Sequence, residues 1–165
     1  MIGELTTKDS EQVLRAEVLG RLGCHARGRT YVVPVAYVYD NSSIFSHTGD
    51  GLKIRMMREN PEVCFEVEQL ADLPSWRSVI AFGRFEELGG KAASTALGLL
   101  RARLRADVQV HGKQLPQGIG LWVPGDEQTR PRQSIVYAIR VRELTGRADV
   151  VEATQFSPMS EIRPS

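Results

Sequence analysis

Two short breaks constrain the first third of this chain more than any other feature. Residues 20–26, GRLGCHA, run into 30–40, TYVVPVAYVYD, through the tight turn Arg27-Gly28-Arg29, and Asp40-Asn41-Ser42 separates that run from SIFSH at 43–47. Each run reads as a strand bounded by turn formers. Connections this short allow only antiparallel neighbours, because a parallel pair needs a crossover of about a dozen residues or more. The chain therefore starts its sheet as an antiparallel meander. In the second run Tyr31, Val33, Val35, Tyr37 and Tyr39 share one face, and Val32, Pro34, Ala36 and Val38 share the other. Both faces are apolar enough to be covered.

The remaining elements extend that meander. Thr6 and Thr7 precede DSEQVLRAEVL, where Asp9 and Glu11 oppose the helix dipole, and predict a helix from about 8 to 17. LKIRMMREN predicts two helical turns that stop at Asn60-Pro61, since the residue before Pro disfavours the helical region. Its apolar residues, Leu52, Ile54, Met56 and Met57, spread round more than half of a helical wheel, so neighbours should touch it from more than one side. EVCFEVEQ (62–69) and SWRSVIAFGRFEEL (75–88) read as strands joined by LADLP. From 90 to about 106, Ala93, Ala96, Leu97, Leu100 and Leu104 recur at helical spacing opposite Arg101, Arg103 and Arg105, a basic stripe read as a solvated face. Residues 107–133 form the longest irregular stretch, with a short apolar segment at 119–123. SIVYAIRVREL closes the sheet, and the tail at 149–165 reads as loosely held. The pattern predicts a single domain over 1–165: a mainly β, six-stranded antiparallel barrel with peripheral helices, whose closure removes exposed edges.

Composition excludes several functions. The net charge of +1 gives no field to recruit nucleic acid or an anionic membrane. Cys24 and Cys64 stand far apart without a CxxC spacing, so neither a zinc site nor a disulfide framework is expected, and no metal is predicted. The N-terminal residues show no basic stretch leading into an apolar run, and no 18-residue apolar stretch occurs. A soluble, cytoplasmic protein is the expectation.

Chemistry gathers at one corner, IFSHTGDGLKIRMMRENPEVCFEVE, residues 44–68. Pro34 leaves backbone unpaired on the strand before it. The turn Thr48-Gly49-Asp50-Gly51 delivers Lys53 into the first turn of a helix, where free N–H groups and the dipole favour an anion. Trp76, Arg77 and Ser78 open a later strand with an aromatic, a fixed cation and a hydroxyl. Each feature also has a plain structural reading: Lys53 as a solvated helix residue, His47 as a hydrogen-bonded strand end, Trp76 as core, Pro34 as an edge marker.

Taken together, LGRLGCHARGRTYVVPVAYVYD, the corner segment and WRSVIAFGRFEEL resemble the FMN-binding split barrels, which include pyridoxamine 5'-phosphate oxidase and the nitroimidazole-resistance type flavoproteins. The likeness is best over 5–88. Most specific are Asn60-Pro61 seven residues after Lys53 and the Arg-x-Val-x-x-x-Gly strand beginning at Arg77. The resemblance implies a homodimer with FMN in clefts between the subunits. It implies that Pro34, Val35, Ala36 and Tyr37 run along the flavin with their backbone, and that His47 and Thr48 meet its ribityl and pyrimidine end. Lys53 is implied to grip the phosphate, with Trp76 as a pocket wall and Arg77 and Ser78 approaching from the neighbouring protomer. Gly51 and Leu52 stand where the oxidase has Ser-Arg, Val32 and Tyr37 replace its Arg and Lys, and its C-terminal Arg-Leu-x-Pro segment is absent. These departures point away from vitamin oxidation. His47-Thr48, the VVPV strand and the WRSV start look more like the nitroimidazole-resistance type, which implies an FMN-dependent oxidoreductase with His47 as the catalytic candidate. A non-catalytic flavin, deazaflavin or heme binding protein is the alternative.

Overall fold

The computed structural model describes residues 2–72, 75–111 and 134–149. In chain order these form β1 (Ile2–Glu4), α1 (Thr7–Ala16), β2 (Leu19–Ala26), β3 (Arg29–Ala36), β4 (Val38–Asp40) and β5 (Ser43–Gly49). They continue with α2 (Leu52–Glu59), β6 (Glu62–Asp72), β7 (Ser75–Leu88), α3 (Gly90–His111) and β8 (Ser134–Asp149). The described residues are mainly β, with three helices and one antiparallel sheet of eight strands in the order β3-β2-β6-β7-β8-β5-β4, β1 adding to β8.

The expected count of six strands is thus corrected to eight. One extra strand is β1, too short to show a period, which pairs with the end of β8. The other arises because the run 30–40 breaks at Tyr37, which lies between β3 and β4 at opposite ends of the sheet path. Tyr37 donates its backbone N–H to the Val18 carbonyl at 3.0 Å instead of to a ladder. Its hydroxyl donates to the Leu14 carbonyl at 2.8 Å, and its ring meets Phe65 edge-on with centroids 4.9 Å apart. A strand pulled inward at one residue cannot stay in register, so the chain passes from one end of the sheet to the other there.

Both hairpin turns have the expected chemistry. Arg27 and Gly28, and then Asn41 and Ser42, all have positive φ, as two-residue turns that match strand twist require. α1 is capped by Thr6, whose hydroxyl accepts from the Asp9 N–H. The core lies between the inner sheet face and two helices, with Leu14 of α1, Ile54 and Met57 of α2, and Leu22, Phe65, Val67, Val79, Tyr137 and Ile139 of the strands all fully buried. α2 is indeed apolar on several sides because it packs inside this cluster.

Three boundaries differ from expectation. α3 continues to His111, so the stretch read as irregular from 107 begins as helix, and 112–133 lies outside the described residues. β6 extends through Asp72 into the expected connection. β8 runs on to Asp149, past the end expected at 144; Gly146 and Ala148 turn inward there, and Gly146 lets Leu5 and Ser10 pack against the strand. Residues 150–165, most of the expected tail, lie outside the described part.

Candidate cofactor-binding cleft

Pro34 lies on β3, the strand at one end of the sheet path, opposite Arg21 of β2. A residue without an N–H is tolerated on such an edge. After it the strand turns inward: Val35 and Ala36 are each 2% exposed, Ala36 beneath Leu100 and Leu104 of α3. Ser46 of β5 donates its hydroxyl to the Ala36 carbonyl at 2.8 Å. The end of β3 therefore lies beside β5 across the split.

β5 brings Ser46, His47 and Thr48 into this seam, all three buried. Successive strand residues point to opposite faces, so burial of three in a row means cover on both sides, supplied by the barrel interior and by α3. His47 Nε2 is hydrogen bonded to Ser134 Oγ of β8. Burial first, and then the guanidinium of Arg101, hold the imidazole below its ordinary pKa, so the ring is neutral near pH 7.

The turn after Thr48 places Gly51 as N-cap of α2. It contributes no side-chain cap, and no acidic residue stands in the first turn. Lys53 sits there half-buried, its pKa pushed down by burial while the buried thiol of Cys24 acts in the opposite direction. Among the described residues Lys53 makes no hydrogen bond or ion pair. A partly desolvated ammonium beside uncapped helix amides, without a carboxylate, is a site that an anionic oxygen group completes. Arg58 fixes the turn: it meets Asp50 at 3.0 Å and takes both carboxylate oxygens of Glu87, at the end of β7, at 2.9 Å each.

The expected site residues fall into two groups. Pro34, Val35, Ala36, His47 and Thr48 gather along the seam, while the Tyr37 side chain belongs to the core and Lys53 stands on α2 beside Cys24 of β2. Trp76, Arg77 and Ser78 are elsewhere. His47 lies opposite Val136 of β8, whereas Trp76 lies opposite Asp149 of the same strand, a strand path of about 40 Å away. Ser78 donates to Glu66 on β6 at 3.1 Å. His47 and Trp76 are thus far apart along β8, whereas Ser78 shares its partner Glu66 with Arg21, the residue opposite Pro34.

The sequence reading missed Ser134 and Arg101 as neighbours of His47. Ser134 becomes visible only from the β5–β8 register, and Arg101 was taken as part of a solvated stripe. That stripe is corrected in a second place, since Arg103 donates to the carbonyls of Ala16, at 2.6 Å, and Arg15, at 3.3 Å, closing the C-terminal end of α1. A further depression of about 420 Å³ lies on the outer sheet face between Val32, Gly23, Cys64 and Phe82; none of the expected site residues lines it.

Solved structures share this fold. An FAD-binding protein of Mesorhizobium loti superposes with a TM-score of 0.70 at 24% identity, over 91% of this chain and 99% of that one. A candidate 5-nitroimidazole antibiotic resistance protein of Bacteroides thetaiotaomicron gives 0.63 at 20% identity, over 91% and 92%. A heme binding protein of Mycobacterium smegmatis gives 0.61 at 13% identity, over 82% of this chain and 51% of that one. The sequence goes further than the fold: the model of the pyridoxamine 5'-phosphate oxidase family matches residues 6–148, and the chain belongs to that family.

Proposed function

We propose that the seam between β3 and β5 holds FMN in a split barrel, and that the protein is an FMN-dependent oxidoreductase for a small flat substrate, nitroaromatics being the first class to test. The observation that carries this reading is Lys53, half-buried and without a carboxylate partner among the described residues, at a helix start with no side-chain cap, in a chain of this family. Lys53 and the first-turn amides of α2 would hold the phosphate. The β3 backbone at Pro34, Val35 and Ala36 would run along the ring, and His47 and Thr48 would meet its other end. The flavin supplies the electron transfer, and the protein supplies placement and electrostatics. His47, neutral and enclosed, is suited to hold a proton at a fixed ring nitrogen.

Trp76, Arg77 and Ser78 would approach the cleft from a second copy, and the reading includes a homodimer with cofactor at the subunit interface. Purified protein should carry or take up flavin and show its visible absorption. When reduced, it should be reoxidised faster by nitroaromatics than in their absence, as followed by stopped flow. A colourless protein indifferent to added FMN would end the assignment. The second reading, a carrier that binds flavin, deazaflavin or heme without turnover, is favoured by Gly51-Leu52 in place of Ser-Arg and by the likeness to the heme binding protein. A Soret band, or bound flavin that no acceptor reoxidises, would decide for it.

A further inference from the structure

Strand register carries one row of residues across the outer face of β3, β2, β6 and β7. Val32 lies opposite Gly23, Gly23 opposite Cys64, and Cys64 opposite Phe82. Directly opposite residues share a face, and the alternating residues Leu22, Phe65 and Ala81 are buried in the core, so this row points outward. Val32 is 60% and Phe82 44% exposed, and between them Gly23 and Cys64 line the depression of about 420 Å³. The next row, in the same strand order, is Pro34, Arg21, Glu66 and Ile80, with Arg21 ion-paired to Glu66 at 3.0 Å. An exposed sheet face with apolar side chains at both margins and unlike charges between them is a surface for a partner.

We propose that two copies of the chain meet through this outer face, related by a two-fold axis that runs along the strands midway between β2 and β6. The inference rests on the reading that Trp76, Arg77 and Ser78 serve the cleft of a second copy. Such an axis sets β3 over β7 of the other copy and β2 over β6, an isologous arrangement in which each contact occurs twice. Val32 then meets the partner's Phe82, and Pro34 meets the partner's Ile80. Arg21 meets the partner's Glu66, so unlike charges oppose each other on both sides of the axis. An axis across the strands would instead lay β6, with Glu62, Glu66 and Glu68 outward, on β6 of the other copy, like charge on like. The site residues select the same operator. Along β7 from Ile80 to Ser78 the rows advance as they do along β3 from Pro34 to Ala36. The axis that pairs the charges thus carries Ser78 to the Ala36 end of β3 in the other copy, where the cleft lies.

The test uses the full chain. In sedimentation velocity at micromolar concentration the wild type should run as a dimer. Val32→Glu, which sets a carboxylate against the partner's Phe82, should run as a monomer with an unchanged far-ultraviolet circular dichroism spectrum. For the pairing itself, Val32→Cys and Phe82→Cys are made singly and together on a Cys64→Ser background, Cys24 being buried. A short bismaleimide spans facing sheets about 10 Å apart, but not the three strand spacings, about 14 Å, that separate Val32 from Phe82 within a chain and each residue from its own counterpart. Only the double variant should give a covalent dimer. A monomeric wild type, a dimer that survives Val32→Glu, or a double variant that cross-links no better than the single ones would overturn the proposal. Flavin titration keeps this apart from the cofactor reading. A covalent dimer that takes up no FMN leaves the interface standing and ends that reading, whereas FMN bound by a monomeric wild type does the reverse.

Discussion

Lys53 states the trade-off of this molecule in one side chain. Burial disfavours its charged form, and among the described residues no carboxylate offsets that cost. Lys53→Met should therefore raise the melting temperature of the ligand-free protein while weakening FMN binding. The lost charged hydrogen bond to phosphate is worth roughly 1.5–3 kcal/mol, or about a ten- to hundredfold increase in Kd by flavin titration. Unchanged Kd would take Lys53 out of the cleft. His47 predicts a pH dependence of definite sign. Its folded pKa lies below the ordinary 6.5, so on acidification the unfolded chain takes up the proton first. The stability of the neutral ring in the fold is complete above 6.5 and is lost as the pH falls from there towards the lower folded value. Thermal melts on either side of 6.5 should show a shallower acid decline for His47→Gln than for the wild type.

At the scale of elements, Gly83 marks where β7 and β8 shift register, and a Cβ there would stand 2.5 Å from the Arg140 carbonyl oxygen. Because the obstacle is backbone, Gly83→Ala should lose about 1–3 kcal/mol in denaturant unfolding. How much of this architecture could be read from the chain follows the range of the interactions. The turns at Arg27-Gly28 and Asn41-Ser42, the stop at Asn60 and the full extent of β7 were legible, because local backbone preference decides them. The break at Tyr37 was not: its causes are Leu14, Val18 and Phe65, brought to it by packing. The same holds for the cleft. His47 and Lys53 stand close in sequence and announced themselves together, whereas Ser134 reaches His47 through strand register alone, and Arg103 left the expected solvated stripe to close α1.

For the whole molecule, the separation of Trp76 and Arg77 from His47 along β8 makes a prediction about copy number. If two copies build each cleft, Lys53→Ala and Arg77→Ala protomers should each bind flavin poorly alone. Refolded together as an equal mixture, they should recover roughly a quarter of the wild-type sites, since only mixed dimers contain one intact cleft. A mixture that binds no better than its components would show that each chain works alone. The strand that separates those residues has another consequence. β8 pairs with β1, β5 and β7, and it is the last described strand to be synthesised. Until it emerges from the ribosome, the pieces β3-β2-β6-β7 and β5-β4 have no strand ladder between them, and β7 and β5 expose open edges. Such non-local closure is slow and leaves a nascent chain open to edge-to-edge association. Translation stalled before residue 134 should therefore give protease-sensitive chains that bind chaperones, and protection should appear in one step once β8 has cleared the exit tunnel.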